Sequence, residues 1–97
     1  MKPVRLAAIA EDELREARDW YELHAPGSGA RLIAAVDAMI ARIAEHPLHL
    51  PVVHADVRRA LVPAMSYSIF FRDLPESIRV VAIVHQRRDP RAWKRRR

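Results

Sequence analysis

The chain has no cysteine and only two glycines among its 97 residues. The lack of cysteine excludes a disulfide-stapled scaffold and a thiolate zinc site, and it fits a reducing cytoplasm. Gly27 and Gly29 both lie in Ala25-Pro26-Gly27-Ser28-Gly29, between two helical patterns and not after a strand, so there is no phosphate-cradling loop. No apolar run approaches the ~20 residues of a membrane span. Met1-Lys2-Pro3-Val4-Arg5 lacks the apolar stretch and cleavage site of a signal peptide. No serine stands in a nucleophile-elbow sequence, which argues against a Ser/His/Asp triad. Five histidines are present, but no pair sits four residues apart on a helical pattern to aim two imidazoles at one ion, so neither a metal nor another cofactor is implied. His24 and His46 suit helix C-termini instead.

What is abundant is arginine, and it is unevenly placed. Residues 87–97 hold six Arg, one Lys and one Asp, a net of +6, whereas the whole chain is +5; residues 1–86 therefore carry −1. The basic character belongs to the C-terminal segment. Such a segment faces something acidic, either nucleic acid or an acidic protein partner. With 51% hydrophobic and 30% charged residues, the rest reads as one globular domain with a thin core.

Val4 to Ala8 reads as a short, weak strand, with Pro3 at its start suggesting an edge or a strand beginning. From Ala10, Leu14, Ala17 and Tyr21 recur at helical spacing, with Trp20 and Leu23 alongside, and predict an amphipathic helix to about His24. Glu11, Asp12 and Glu13 favour its positive end, and Glu11–Arg15 and Arg18–Glu22 have the i, i+4 spacing of outer-face ion pairs. A second helix, about Ala30 to Glu45, carries the stripe Leu32, Ile33, Val36, Ile40 and Ile43, widened by Met39 and Ala44, and Pro47 stops it. Three strands follow: Val57–Val62, Ser66–Arg72 and Ile78–Val84. The spacers between them are too short for helical crossovers, so they pair antiparallel. In the last strand Val80, Ala82 and Val84 face one way and Val81 and Ile83 the other, so both faces of the sheet need cover. The expected architecture is α+β: an N-terminal strand, a helical hairpin packed on a three- to four-stranded antiparallel sheet, and a short C-terminal helical turn. The domain spans residues 1–93, and Lys94-Arg95-Arg96-Arg97 forms a mobile basic tail.

Arg58, Arg72 and His85 fall near strand ends and Arg87 follows the last strand. Converging, they would make a phosphate clamp with one acid–base group, a combination suited to RNA cleavage. Against this stands pairing of Arg58 and Arg72 with Asp56, Asp73 or Asp89, which would leave them inert. Asp89-Pro90 suits a capped turn opening a short helix, with Trp93 as the hydrophobic pin that holds it.

The runs Ala10-Glu11-Asp12-Glu13-Leu14, Trp20-Tyr21, Ala25-Pro26-Gly27, His46-Pro47, Asp56-Val57-Arg58-Arg59, Tyr67-Ser68-Ile69-Phe70-Phe71-Arg72 and His85-Gln86-Arg87-Arg88-Asp89-Pro90-Arg91-Ala92-Trp93 together resemble the RelE/ParE toxin superfamily of bacterial type II toxin–antitoxin modules. The resemblance implies a growth-arresting toxin neutralised by a cognate antitoxin, ParD-like or another acidic amphipathic segment, with DNA contact only through the antitoxin complex. RelE-like members cut ribosome-bound mRNA with lysines, arginines and usually a C-terminal tyrosine; ParE-like members poison DNA gyrase by protein contact. Here the central strands carry no lysine, Trp93 stands about where the nuclease tyrosine would fall, and Ser68 replaces a nuclease arginine. An indole has no phenol proton to exchange. The resemblance therefore favours the ParE-like branch, in which Arg58, Arg72, Arg87, Arg88, Arg91, Trp93, Lys94 and Arg95 are expected to meet target or partner. The alternatives are an mRNA endoribonuclease using Arg58, Arg72, His85 and Arg87, and an inactive relic that only binds antitoxin.

Overall fold

A computed structural model describes all 97 residues. Its elements are β1 (Val4–Leu6), α1 (Ala8–His24), α2 (Ser28–Glu45), β2 (Val52–His54), β3 (Val57–Val62), β4 (Tyr67–Asp73) and β5 (Ile78–His85), with 3-10 turns at Pro47–His49 and Pro90–Ala92. The α+β class and the helical hairpin are as expected; the sheet is larger. It has five strands in the order β1-β5-β4-β3-β2. β1 runs parallel to β5, with Val4 opposite Ile78 and Leu6 opposite Val80, so the sheet is mixed and not wholly antiparallel. The remaining pairs are antiparallel, and β2, absent from the sequence reading, adds an outer strand beside β3.

Both helices lie on one face of this sheet. Ala10 and Ala17 of α1, Leu32, Val36, Met39 and Ile43 of α2, and Ala60, Val62, Ile69, Phe71, Ile78, Val80 and Ile83 of the strands form one continuous core. Fully burying a side chain such as Leu32 or Ile43 contributes roughly 1.5–3 kcal/mol. The two buried alanines let α1 approach β5 closely. Trp20 and Leu23, expected beside the α1 stripe, are instead 54% and 82% exposed. The ion-pair reading of α1 also changes: Arg15 pairs with Asp12 and Arg18 with Asp19. Glu22 turns to the interhelical break, where it accepts the N–H groups of Gly27 (2.9 Å) and Gly29 (3.1 Å). It thereby supplies acceptors for donors at the start of α2, whose cap residue Gly27 has no side chain.

A β-bulge in β5 overturns the strict alternation expected there. Phe70 of β4 faces Ala82 and Phe71 faces Val80, leaving Val81 as the extra residue. Val80 and Ile83 consequently point to the helices, whereas Val81, Ala82 and Val84 join Val57, Phe70 and Trp93 in a second cluster on the outer face. The outer face, which the sequence left in need of cover, is therefore covered by the chain's own C-terminal turn. Asp89 caps that turn by accepting from the Arg91 N–H at 2.9 Å, and Pro90 opens it, as the sequence implied. Trp93 is 5% exposed and stacks on Phe70 with ring centroids 3.8 Å apart.

Residues after Trp93 are tied down as well, contrary to the mobile tail expected. Arg96 donates to Glu13 of α1 at 2.8 Å and to the Val81 carbonyl at 3.2 Å. The same Glu13 carboxylate accepts the Ile83 N–H at 3.1 Å. Beyond Leu6 the β1 side of β5 has no neighbouring strand, and these side chains replace the ladder across the bulge. Arg79 holds the Arg97 carbonyl at 2.9 Å. No helix is long and apolar enough to cross a membrane.

Candidate functional site

The four residues that would have formed an RNA-cleaving constellation do not come together. Val57 and Arg58 lie opposite Arg72 and Phe71, at the end of the sheet where β4 finishes. His85 pairs with Tyr67, where β4 begins. At ~3.4 Å per residue, Tyr67 and Arg72 are roughly 17 Å apart along the strand. The arrangement was implicit in the sequence: Arg72 and His85 close two neighbouring antiparallel strands, and such ends lie at opposite edges.

Each arginine also has its own structural partner. Arg58 donates to the Leu50 carbonyl at 2.6 Å and anchors the segment leading into β2. Arg72 grips Asp56 through two nitrogens, Nε at 3.0 Å from both oxygens and Nη2 at 2.9 Å from Oδ2. The Arg72 hydrogen bonds hold the Asp56 carboxyl below its ordinary pKa of 3.8, and the same bonds raise that of Arg72. An arginine so paired has little capacity left for a phosphate.

At the other end, His85 projects beside Tyr67 with ring centroids 5.6 Å apart, near edge-on. The Arg87 N–H donates to His85 Nδ1 at 3.1 Å, which places the proton of the neutral imidazole on Nε2. The Arg88 N–H donates to the His85 carbonyl at 2.9 Å and closes the turn. Burial, with the neighbouring Tyr21 phenol second, raises the pKa of Tyr67 above 10.0. Tyr67 is therefore a neutral hydroxyl at physiological pH. It is the phenol beside His85.

His85 lies in a groove of about 440 Å³ between α1 and β5, lined by Glu13, Glu16, Ala17 and Trp20 of α1, by Tyr67, Ile83 and Val84 of the strands, and by Arg87 and Arg88. The side chains of Arg87 and Arg88 are exposed and make no ion pair. Arg91, by contrast, shares Asp89 at 2.7 Å and holds that carboxyl below its usual range. Lys94 and Arg95 are exposed on the far side of the Trp93 turn, beside His54. Trp93 itself is too deeply buried to meet a target. The sequence reading missed the groove because it assigned Trp20 to the core; it missed Glu13 and Arg96 because their partnership spans nearly the whole chain.

A model of the ParE toxin of type II toxin–antitoxin systems (parDE) matches residues 4–90. A solved structure of the chromosomal ParDE TA system from P. aeruginosa superposes with a TM-score of 0.66 over 88% of this chain and 96% of that chain, at 16% identity, a likeness of fold. No curated protein sequence matches significantly. With the family model spanning nearly the whole domain, from β1 to the start of the C-terminal turn, the chain belongs to the ParE toxin family of type II toxin–antitoxin systems.

Proposed function

We propose that this toxin acts by binding, on DNA gyrase, with no catalysis of its own, and that a cognate ParD-like antitoxin neutralises it. The observation carrying the binding half is the dispersal of the would-be catalytic set. Arg58 is spent on a backbone carbonyl and Arg72 on Asp56, both at the opposite end of the sheet from His85. RNA cleavage needs a base, an acid and cations around one phosphorus. At the His85 end, Arg87 and Arg88 are joined by the Tyr67 phenol, whose raised pKa makes it a poor proton exchanger near neutral pH. The gyrase half is our own expectation; what supports it is the likeness to the ParE-like branch, since the family match itself speaks only of a type II toxin.

The antitoxin's place is argued from chemistry. The groove beside His85 combines Ala17, Trp20, Tyr67, Ile83 and Val84 with two unpaired arginines, and of its two carboxylates Glu13 is already paired with Arg96 while Glu16 lies on the α1 side. It suits an amphipathic segment that buries a few apolar side chains and sets carboxylates against Arg87 and Arg88. Such a segment folds as it binds.

The test adds purified toxin to a gyrase supercoiling reaction and, separately, to ribosomes translating a defined message. Loss of supercoiling with the message intact is expected. Codon-phased cuts in the message overturn the proposal in favour of an endoribonuclease, and inactivity in both without growth arrest leaves a relic that only binds antitoxin. Charge reversal at Arg87 and Arg88 together should slow antitoxin association about tenfold at low salt, an effect that fades as salt rises. Stopped-flow mixing across salt concentrations reads this directly.

A further inference from the structure

We propose that the surface formed by His54 and the residues following Trp93 is a contact site for the phosphate backbone of duplex DNA, made by the toxin directly and not only through its antitoxin. Two adjoining shallow basins, of about 480 and 500 Å³, share His54, Lys94 and Arg95. The first is lined by His54, Arg91, Lys94 and Arg95, without one apolar residue. The second adds Arg96 and Arg97 and the Asp56–Arg72 pair.

Within this surface the charges sort into spent and unspent. Arg96 is committed to Glu13, Arg91 to Asp89 and Arg72 to Asp56. Lys94, Arg95 and Arg97 are exposed and unpaired. The segment carrying them is nonetheless held, by Trp93 on Phe70, by Arg96 on α1 and by the Arg79 bond to the Arg97 carbonyl. Three free cations on an anchored backbone lose less conformational freedom on binding than they would on a loose tail.

Lining chemistry decides the class of partner. An amphipathic acidic peptide needs an apolar strip beside its charges, and the first basin offers none. A single nucleic-acid strand is held by exposed aromatic rings on which bases stack. The one ring lining the basins is the half-buried His54 imidazole, set edge-on to Trp93; Trp93 itself is 5% exposed and already stacked, and the exposed Trp20 belongs to the α1 groove. A surface lined mainly by cations, with Ala55, Val57 and the already paired Asp56 confined to the second basin, fits the phosphates of a duplex, without base readout.

The test is anisotropy of two labelled duplexes of unrelated sequence with the full chain and no gyrase or antitoxin, so it can fail while gyrase inhibition stands. Both duplexes should bind alike. With about three phosphates neutralised, log K should fall against log salt with a slope near −2.7, roughly fortyfold weakening between about 50 and 200 mM. Lys94→Glu with Arg95→Glu should cost at least about tenfold at the lower salt and flatten the slope to about −1. The neutral pair Lys94→Gln with Arg95→Gln should fall between, and Arg31→Glu on the exposed face of α2 should leave binding unchanged. A flat salt dependence, equal loss with Arg31→Glu, tighter binding of the single strand, or equal binding of polyglutamate would each overturn the proposal.

Discussion

Glu13 illustrates how much one carboxylate does in a small fold. It lies on α1, accepts the Ile83 N–H at the bulge of β5, and receives Arg96 from the C-terminal segment, so it joins three parts of the chain at one point. Its side chain is 13% exposed and that of Arg96 15%. Removing one member of such a pair strands the other in a poorly hydrated place. Glu13→Gln or Arg96→Met alone should therefore destabilise by about 2–4 kcal/mol, while Glu13→Leu with Arg96→Met should recover much of the loss. Urea melts of the two single variants and the double variant check this. Trp93→Ala should cost about 3–5 kcal/mol by opening the outer-face cluster against Phe70. Trp93→Phe should cost distinctly less. Two residues give the pH dependence opposite signs. Asp56, whose folded pKa is depressed by Arg72, contributes stability that is present above 3.8 and lost as pH falls through its lower folded value. Asp56→Asn should thus flatten the acid limb. Tyr67, whose folded pKa is raised by burial, contributes a share that is whole below 10.0 and lost as pH rises through its higher folded value. Absorbance titration should find the Tyr67 phenol ionising later than free tyrosine, a step identified by its loss in Tyr67→Phe.

At the scale of elements, the sequence was informative wherever periodicity was long. Both helices and the three long strands stand within about two residues of where apolar spacing placed them, and Asp89-Pro90 opens the turn it implied. What escaped was short, distant or irregular. β2 is three residues, too few for a pattern. β1 pairs with a strand more than seventy positions away, and nothing local specifies that pairing as parallel. The Val81 bulge inserts one residue, and every later side chain in β5 changes face, so the expected grouping of Val80, Ala82 and Val84 fails after its first member. The candidate site was less legible than the fold because convergence depends on which end of the sheet each strand terminus occupies. Gly29 marks the crossing of α1 and α2: a Cβ there would stand 2.9 Å from the Arg18 carbonyl, backbone that cannot step aside. Gly29→Ala should accordingly destabilise by about 1–3 kcal/mol, read as a lower thermal midpoint.

For the whole molecule, charge and shape divide the work between two surfaces. The groove between α1 and β5 combines apolar side chains with Arg87 and Arg88, while the face beyond Trp93 presents Lys94, Arg95 and Arg97 with no apolar residue lining its first basin. A nearly neutral body therefore displays its cations on an ordered rim, set by the turn that seals the outer sheet face. That ordering also changes the reading of the C-terminal residues: deleting 94–97 would remove Arg96 from Glu13 and damage the fold, so charge variants at Lys94 and Arg95 probe association cleanly. The central claim is that the toxin works as a binding surface and not as a nuclease. It is tested most directly by His85→Ala in a supercoiling assay beside a ribosomal cleavage assay. Supercoiling inhibition should stay within about twofold of the parent, with no cuts from either protein. Cleavage by the parent that falls ~100-fold or more in the variant, the loss expected for a missing acid–base group, would contradict it.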